Sequence, residues 1–226
     1  MAKAEQAKSP ACHLIMVGGH TRSIGKTQLV CDLIAALPEA RFIAGKITQY
    51  GHGVCAQNGE GCDCAPDEHS SAFDWETDTG SGADSARFLA AGARRSFWLR
   101  TKQGYLAEGM PFLRKALHDA GNEYNLPLNL IIESNSLMQF LKPSVYVAVL
   151  DPQKPDFKST SQSALDRADA FVLRHDLAEA GQSWPQISAK LLYAKQTFLQ
   201  REREPVPEPL LALVRHALTL PAVVRI

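Results

Sequence analysis

Short apolar runs alternate along the chain with longer stretches in which apolar residues recur every three or four positions. The runs His13 to Val17, Arg41 to Lys46, Ser96 to Leu99, Leu128 to Glu133, Val145 to Leu150 and Ala170 to Leu173 predict strands, and Ile187 to Tyr193 is a seventh candidate. Lys26 to Leu37, Ala83 to Ala91, Gly109 to Ala120, Leu137 to Leu141, Thr160 to Arg167 and Glu208 to Leu218 predict helices. Runs such as Leu128 to Ile132 are apolar with little alternation, as suits strands covered on both faces. The expected fold class is therefore α/β, three layers α/β/α around a mainly parallel sheet. With 226 residues, one domain over 1–226 is expected. The pattern breaks once. From Gln49 to Gly82 the chain is rich in Gly, Cys, His, Asp, Glu and Ser and has almost no apolar periodicity, which predicts an insertion with a role of its own.

Composition narrows the function. Lys plus Arg total 24 and Asp plus Glu total 24, so there is no basic surplus of the kind a general nucleic-acid binder shows. Hydrophobic residues make up 45%, enough for a buried core. No apolar run approaches the roughly 18 to 20 residues of a membrane span. Met1 to Pro10 is polar, and the apolar run after it is broken by Gly18 and Gly19, unlike a signal-peptide core. A soluble, cytoplasmic chain is the expectation, with neither nucleic acid nor membrane as partner.

The sharpest motif is Gly19-His20-Thr21-Arg22-Ser23-Ile24-Gly25-Lys26-Thr27, placed between the first strand and the first helix. Glycines let a loop curl so that several N–H groups point inward, and a helix N-terminus adds positive potential for phosphate. Nucleotide contacts are expected from Gly19, Thr21, Arg22, Ser23, Ile24, Gly25, Lys26, Thr27 and Gln28. Lys26 would reach the β- and γ-phosphates of ATP or GTP, and the Thr27 hydroxyl would bind Mg²⁺. The spacing departs from G-x-x-x-x-G-K-[ST], since His20 stands where the first glycine belongs. The plainer alternative is a glycine-rich turn that merely starts a helix.

Glu133 closes an apolar strand, as a magnesium-holding acid does, and joins Lys26 and Asp84 as a candidate for the chemistry. Asp84 is either a second acid near magnesium or the N-cap of its helix. Lys46 ends the second candidate strand at the same sheet edge, as a phosphate ligand or a solvated lysine. Base preference stays open. After Ala170 to Leu173 the chain reads Arg174-His175-Asp176-Leu177 where a guanine site has Asn-Lys-x-Asp, and Ser188-Ala189-Lys190 is too short a match to the guanine-loop tripeptide.

Cys55, Cys62 and Cys64, with His52 before and His69 after, offer three thiolates and an imidazole for Zn²⁺ or an iron–sulfur cluster. The alternative is three free thiols on a loop. Cys12 and Cys31 fall in a strand and a helix, where burial is the default. Arg94, Arg95, Trp98 and Arg100 form either an anion-binding rim or ordinary flanking and core positions. Arg201-Glu202-Arg203-Glu204 reads as a solvated linker into the last helix.

The loop Gly19 to Thr27 resembles that of dethiobiotin synthetase and its branch of the P-loop NTPases, which includes deviant-Walker ATPases and metallochaperone GTPases. The signature lysine of the deviant-Walker ATPases would fall at Thr21 and is absent. Lys46, His52, Asp84-Ser85 and Ala91-Gly92-Ala93 stand in the order found in the molybdopterin-guanine dinucleotide biosynthesis protein B (MobB) family, a similarity running from about His13 to Leu99 and more weakly through Glu133. These resemblances imply a nucleotide-binding accessory protein of low Mg-dependent NTPase activity. It would act beside a cofactor-assembly partner enzyme, as a homodimer. The cysteine-bearing insertion is foreign to that family. The alternative is a metabolic kinase or ligase of the dethiobiotin synthetase type, with the same phosphate loop and Mg²⁺.

Overall fold

A computed structural model of the protein describes residues 11–50, 70–124, 127–177 and 184–225. Among these, nine strands form one sheet: β1 (Ala11–Gly19), β2 (Ile43–Tyr50), β3 (Ser71–Trp75), β4 (Arg95–Lys102), β5 (Leu128–Glu133), β6 (Val145–Leu150), β7 (Ala170–Leu173), β8 (Gln196–Leu199) and β9 (Val224–Arg225). The order is β3-β4-β2-β5-β1-β6-β7-β8. Every pairing along it is parallel except β3 with β4, and β9 adds an antiparallel pairing to β1 at Ala11 and Cys12.

Side-chain alternation divides the core into two layers. Leu14 and Met16 of β1 belong to the core layer of α3 (Leu106–Tyr124), which contributes Met110, Leu113 and Leu117 to it. Ile15 and Val17 face the opposite layer, built from α1 (Lys26–Ala36), α2 (Asp84–Ala90) and the C-terminal helix Glu208–Thr219. Both faces of β1 and β6 are therefore apolar and buried, as in a doubly covered parallel sheet. The result is the three-layer α/β/α architecture with a mainly parallel sheet. No described helix is long and apolar enough to cross a membrane.

Several elements differ from the sequence expectation. Ile187 to Tyr193 is not a strand: Ser188 precedes a helix, Ala189–Ala194, and the last parallel strand is β8 beyond it. Ala, Lys and two leucines favour that helix, and this stretch contains no β-branched residue after Ile187. Leu137 to Leu141 is a 3₁₀ turn, Ser136–Gln139, and Thr160 to Arg167 splits into a helix, Ser159–Gln162, and a 3₁₀ turn, Leu165–Arg167. The region Gln49 to Gly82 is not all insertion. Gln49 and Tyr50 complete β2, and Ser71–Trp75 is the edge strand β3, whose Phe73 and Trp75 pack beside Phe97. Its alternation is hidden by the polar residues around it.

Candidate phosphate-binding site

Sheet register assembles the site before any side chain is considered. Val17 of β1 lies beside Glu133 of β5, Glu133 beside Lys46 of β2, and Lys46 beside Trp98 of β4. This row meets the carboxyl ends of β1 and β5, beside which open parallel sheets bind ligands, while β2 and β4 run on past it to Tyr50 and Lys102. The chain leaves β1 through a loop from Gly19 and enters α1 at Lys26, with Gly25 at φ 81° just before the helix. That left-handed conformation favours glycine. Ser23 also takes a positive φ, 50°, so the loop curls tightly.

Lys26 turns back over the loop and donates from Nζ to the Thr21 carbonyl at 2.5 Å. Burial draws its ammonium down to about 8, while Glu133 counters in part. Thr27 Oγ1 donates to Glu133 Oε2 at 2.7 Å, and Lys46 Nζ donates to Glu133 Oε1 at 2.5 Å. Lys46 Nζ also pairs with Asp84 Oδ2 at 2.8 Å. Burial pulls the Lys46 ammonium down, but Glu133 and Asp84 outweigh it and hold the group above the ordinary lysine value.

The two open questions about Asp84 and Lys46 resolve geometrically. Asp84 does not cap its helix: Ala83 is the N-cap, with no side-chain bond, and the Asp84 carboxylate goes to Lys46. Lys46 is not a solvated strand end, because β2 continues to Tyr50 and the ammonium lies between two carboxylates. Lys26, Thr27, Lys46, Asp84 and Glu133 are thus brought together. The other loop residues have different surroundings. Thr21 is buried and its hydroxyl is bonded to Asp156, Ile24 is buried, and exposed Gln28 bonds to Asp32 and Arg87. Arg22 is half-buried, and its charge is felt by Lys158.

Three residues that carry the loop were not picked out for this from sequence. Asn135 accepts from the Gly19 N–H and donates to the Gly19 carbonyl, both at 2.8 Å. A Cβ at Gly18 would run into the Asn135 amide and the Tyr146 ring, so that close approach requires glycine. Arg174 donates to the carbonyls of Ile24 (3.2 Å) and Gly25 (2.6 Å) and to the Gln200 side chain. Lys154 Nζ donates to the Ser23 carbonyl at 2.7 Å. The available signal was an Asn two residues past the strand-ending acid, and an Arg in place of the guanine-site Asn.

Beside the loop opens a cleft of about 1230 Å³, lined among others by Gln28, Asp32, Asp151, Arg174 and His175 and by residues 201–206. Arg201 to Glu204 is therefore a cleft wall rather than only a linker. Ser188-Ala189-Lys190 is not among the residues lining that cleft, since it starts the helix Ala189–Ala194. The supposed arginine rim divides as well. Arg94 and Arg95 stack on Tyr124 and Trp75, whereas Arg100 stacks on Trp98 near Lys46 and pairs with Asp74. Cys12 and Cys31 are buried, with their thiols pushed up to about 12 and about 11 by burial. His52, Cys55, Cys62, Cys64 and His69 lie outside the described residues. Among the described residues no cluster of His, Cys, Asp and Glu has the makings of a metal site of three or more such ligands.

Strand, curled loop, Gly-Lys-Thr helix start and strand-ending acid thus stand together in a mainly parallel α/β fold. No protein-family model matches the chain, and no curated protein matches it either. Among solved structures it is similar to HypB from Helicobacter pylori in complex with nickel, at 14% identity and a TM-score of 0.49, over 89% of this chain and 85% of that one. It is also similar to LpxK from Aquifex aeolicus in complex with ATP, at 14% identity and a TM-score of 0.44, over 83% of this chain. The match spans 53% of LpxK, about half its length.

Proposed function

We propose that this chain binds a nucleoside triphosphate with Mg²⁺ at the β1–α1 loop and hydrolyses it slowly, as an accessory protein in cofactor or metal-centre assembly. The observation that carries the nucleotide half is the convergence of Lys26, Thr27, Lys46, Asp84 and Glu133 at one opening beside a loop that curls at the N-terminus of α1. A hydroxyl and two carboxylates are hard oxygen donors, the set magnesium prefers. Thr27 and Glu133 would hold the ion, with Asp84 at its margin, and Mg²⁺ would offset charge on the β- and γ-phosphates. Lys26 would exchange the Thr21 carbonyl for phosphate oxygens, and Lys46, released from Glu133, would turn to the terminal phosphate. The base would enter the cleft between Arg174 and residues 201–206, where no Asn-Lys-x-Asp selects guanine, so ATP and GTP are both substrates to test.

The assembly half rests on the resemblance to MobB and on the thiols of Cys55, Cys62 and Cys64 in a chain whose phosphate chemistry has no use for them. With His52 they would hold Zn²⁺ or an iron–sulfur cluster, and metal analysis of the purified chain is expected to find one such centre per chain or per pair of chains. A second reading, phosphoryl transfer to a small anionic acceptor, draws support from Thr48, Trp98 and Arg100. They lie beside Lys46 in the sheet, with Trp98 Nε1 donating to Thr48 Oγ1 at 2.9 Å.

Titration of ATP and GTP into the wild type and Lys26→Ala tests the reading. Loss of a charge-assisted contact to phosphate, about 1.5 to 3 kcal/mol, should weaken binding roughly ten- to a hundredfold. Equal binding by a folded Lys26→Ala would overturn it.

A further inference from the structure

Lys46 is held where three strands and a helix meet. Its backbone is fixed in β2 between Trp98 of β4 and Glu133 of β5. Its ammonium lies 2.5 Å from Glu133 Oε1 and 2.8 Å from Asp84 Oδ2. Asp84 reaches it from the first turn of α2, which is anchored by the buried Ala86 and Phe88. The other oxygen of Glu133 takes the Thr27 hydroxyl at 2.7 Å. Of the three groups that would hold Mg²⁺, two carboxylates thus close on Lys46 and the hydroxyl closes on Glu133.

A divalent ion arriving alone must compete with this ammonium, which is tethered beside the carboxylates and cannot diffuse away. If the ion won, Lys46 would be cut off from both acids. Its side chain is only 16% exposed, and parting a largely buried charge from its partners is costly. A triphosphate changes that balance. Its terminal phosphate offers the displaced ammonium charge-assisted hydrogen bonds in place of those it gives up, and it offers the ion further oxygen ligands. A diphosphate lacks the terminal group that Lys46 would turn to.

We propose that Lys46 is an internal counter-ion that keeps divalent cations out of the site of Thr27, Asp84 and Glu133 until a triphosphate draws it away. The chain then takes metal and triphosphate as a pair, and it refuses the metal alone. The proposal rests on the nucleotide reading above and adds an order of binding and a selectivity for triphosphate over diphosphate. The exchange involves ion pairs only: no covalent bond forms or breaks, and Lys46 keeps its charge throughout. Because coupling between two ligands is reciprocal, the metal must tighten triphosphate binding by the same factor as triphosphate tightens binding of the metal.

The test uses the full chain, comparing wild type, Lys46→Met and Lys46→Gln, with Mn²⁺ as the probe ion. Mn²⁺ is titrated alone and followed by electron paramagnetic resonance. Non-hydrolysable analogues of ATP and GTP, and ADP and GDP, are titrated with and without Mn²⁺. In the wild type Mn²⁺ should tighten binding of the triphosphate analogue at least about tenfold and that of the diphosphate less than about threefold. Either variant should bind Mn²⁺ without nucleotide at least about tenfold more tightly than the wild type, and Mn²⁺ alone should raise its unfolding midpoint. A wild type that binds Mn²⁺ alone as tightly as it does beside the triphosphate analogue would overturn the proposal, and that arm needs no variant to fold. Folded variants that take up Mn²⁺ no better than the wild type would overturn it too and leave Lys46 as a brace between β2, β5 and α2. In both cases triphosphate binding by the wild type would leave the nucleotide reading standing. A wild type that takes up no triphosphate, with or without Mn²⁺, would remove both readings together.

Discussion

The phosphate loop has two supports, and they are built differently. On one side Asn135, Ser161 and Arg174 hold backbone groups of Gly19, Ile24 and Gly25. On the other, Lys46 is held by charge between Asp84 and Glu133, with Thr27 on the second oxygen of Glu133. The first support satisfies main-chain groups that would otherwise be buried without partners, so it cannot be exchanged without dismantling the loop. The second places an ammonium among carboxylates, where another cation can replace it. One sets shape and the other is available for chemistry, so substitutions on the two sides should separate stability from metal and pH response.

The largest effect is expected at Glu133, where the two supports come closest. It is 3% exposed and serves both Thr27 and Lys46. Glu133→Ala leaves Lys46 with Asp84 alone, and removing one member of a buried ion pair costs about 3 to 5 kcal/mol, a loss to be read by urea unfolding. Glu133→Gln keeps an acceptor for the Thr27 hydroxyl. It should retain nucleotide binding while turnover falls roughly a hundredfold. Full turnover in that variant would assign Glu133 to structure alone.

Asn135→Ala attacks the first support. Both bonds from Asn135 to Gly19 go; the Gly19 carbonyl keeps Ser161, but its N–H loses its partner, and leaving a buried polar group unmatched costs about 1 to 3 kcal/mol. Nucleotide affinity should fall in step with stability, with no change in its pH or magnesium dependence. A variant that loses affinity while unfolding at the wild-type urea midpoint would show that Asn135 acts on the ligand rather than the loop.

The same contrast explains what could be foreseen. Three inner strands, Leu128–Glu133, Val145–Leu150 and Ala170–Leu173, were legible to the residue, because buried parallel strands declare themselves as apolar runs. So was the loop, whose chemistry is local in sequence. Lys46, Asp84 and Glu133 stood out singly, each as a charged residue at the border of an element, but their meeting depends on strand order. Asn135, Lys154 and Arg174 act on backbone groups up to 150 positions away, as Arg174 does on Ile24, so the positions of Asn135 and Arg174 after their strands hint at a role without showing what they hold. Residues 201–206 read as a linker because exposure and charge describe a cleft wall equally well. Strand β3 was lost in its polar surroundings, and β8 was displaced by mistaking Leu191 and Leu192 for part of a strand when they belong to a helix.

The Lys26 ammonium gives the pH behaviour its sign. Its folded value of about 8 lies below the ordinary 10.5, so the nucleotide-free chain sheds this proton first. Burying the charge costs stability below about pH 8, and that cost fades as pH rises from about 8 towards 10.5, where the unfolded chain binds more protons. Lys158, also lowered, works in the same direction, whereas the raised Lys46 lends stability that is lost only above 10.5. Phosphate needs the ammonium, so binding must restore it. Nucleotide affinity should therefore fall above about pH 8 by up to about tenfold per unit, and the slope should vanish in Lys26→Ala. An affinity flat to pH 10 in the wild type would mean that Lys26 does not meet the phosphates.

The smallest effect on stability is expected at Asp84, on the exchangeable side. Its side chain is 35% exposed, and Lys46 retains Glu133 at 2.5 Å when it is neutralised. Partly solvated ion pairs contribute about 0 to 1 kcal/mol, so Asp84→Asn should unfold within that range of the wild type and with the same denaturant slope. Its effect should appear elsewhere. One negative charge fewer beside Lys46 frees that ammonium more readily but weakens the hold on a divalent cation, so the Mg²⁺ concentration needed for half-maximal turnover should rise about three- to tenfold, a shift of about 0.7 to 1.4 kcal/mol. Magnesium titration of turnover, run beside unfolding in the same buffer, reads both quantities. If Asp84→Asn instead loses as much stability as Glu133→Ala, the ionic cluster is part of the frame, and the division between a fixed support and an exchangeable one does not hold for this site.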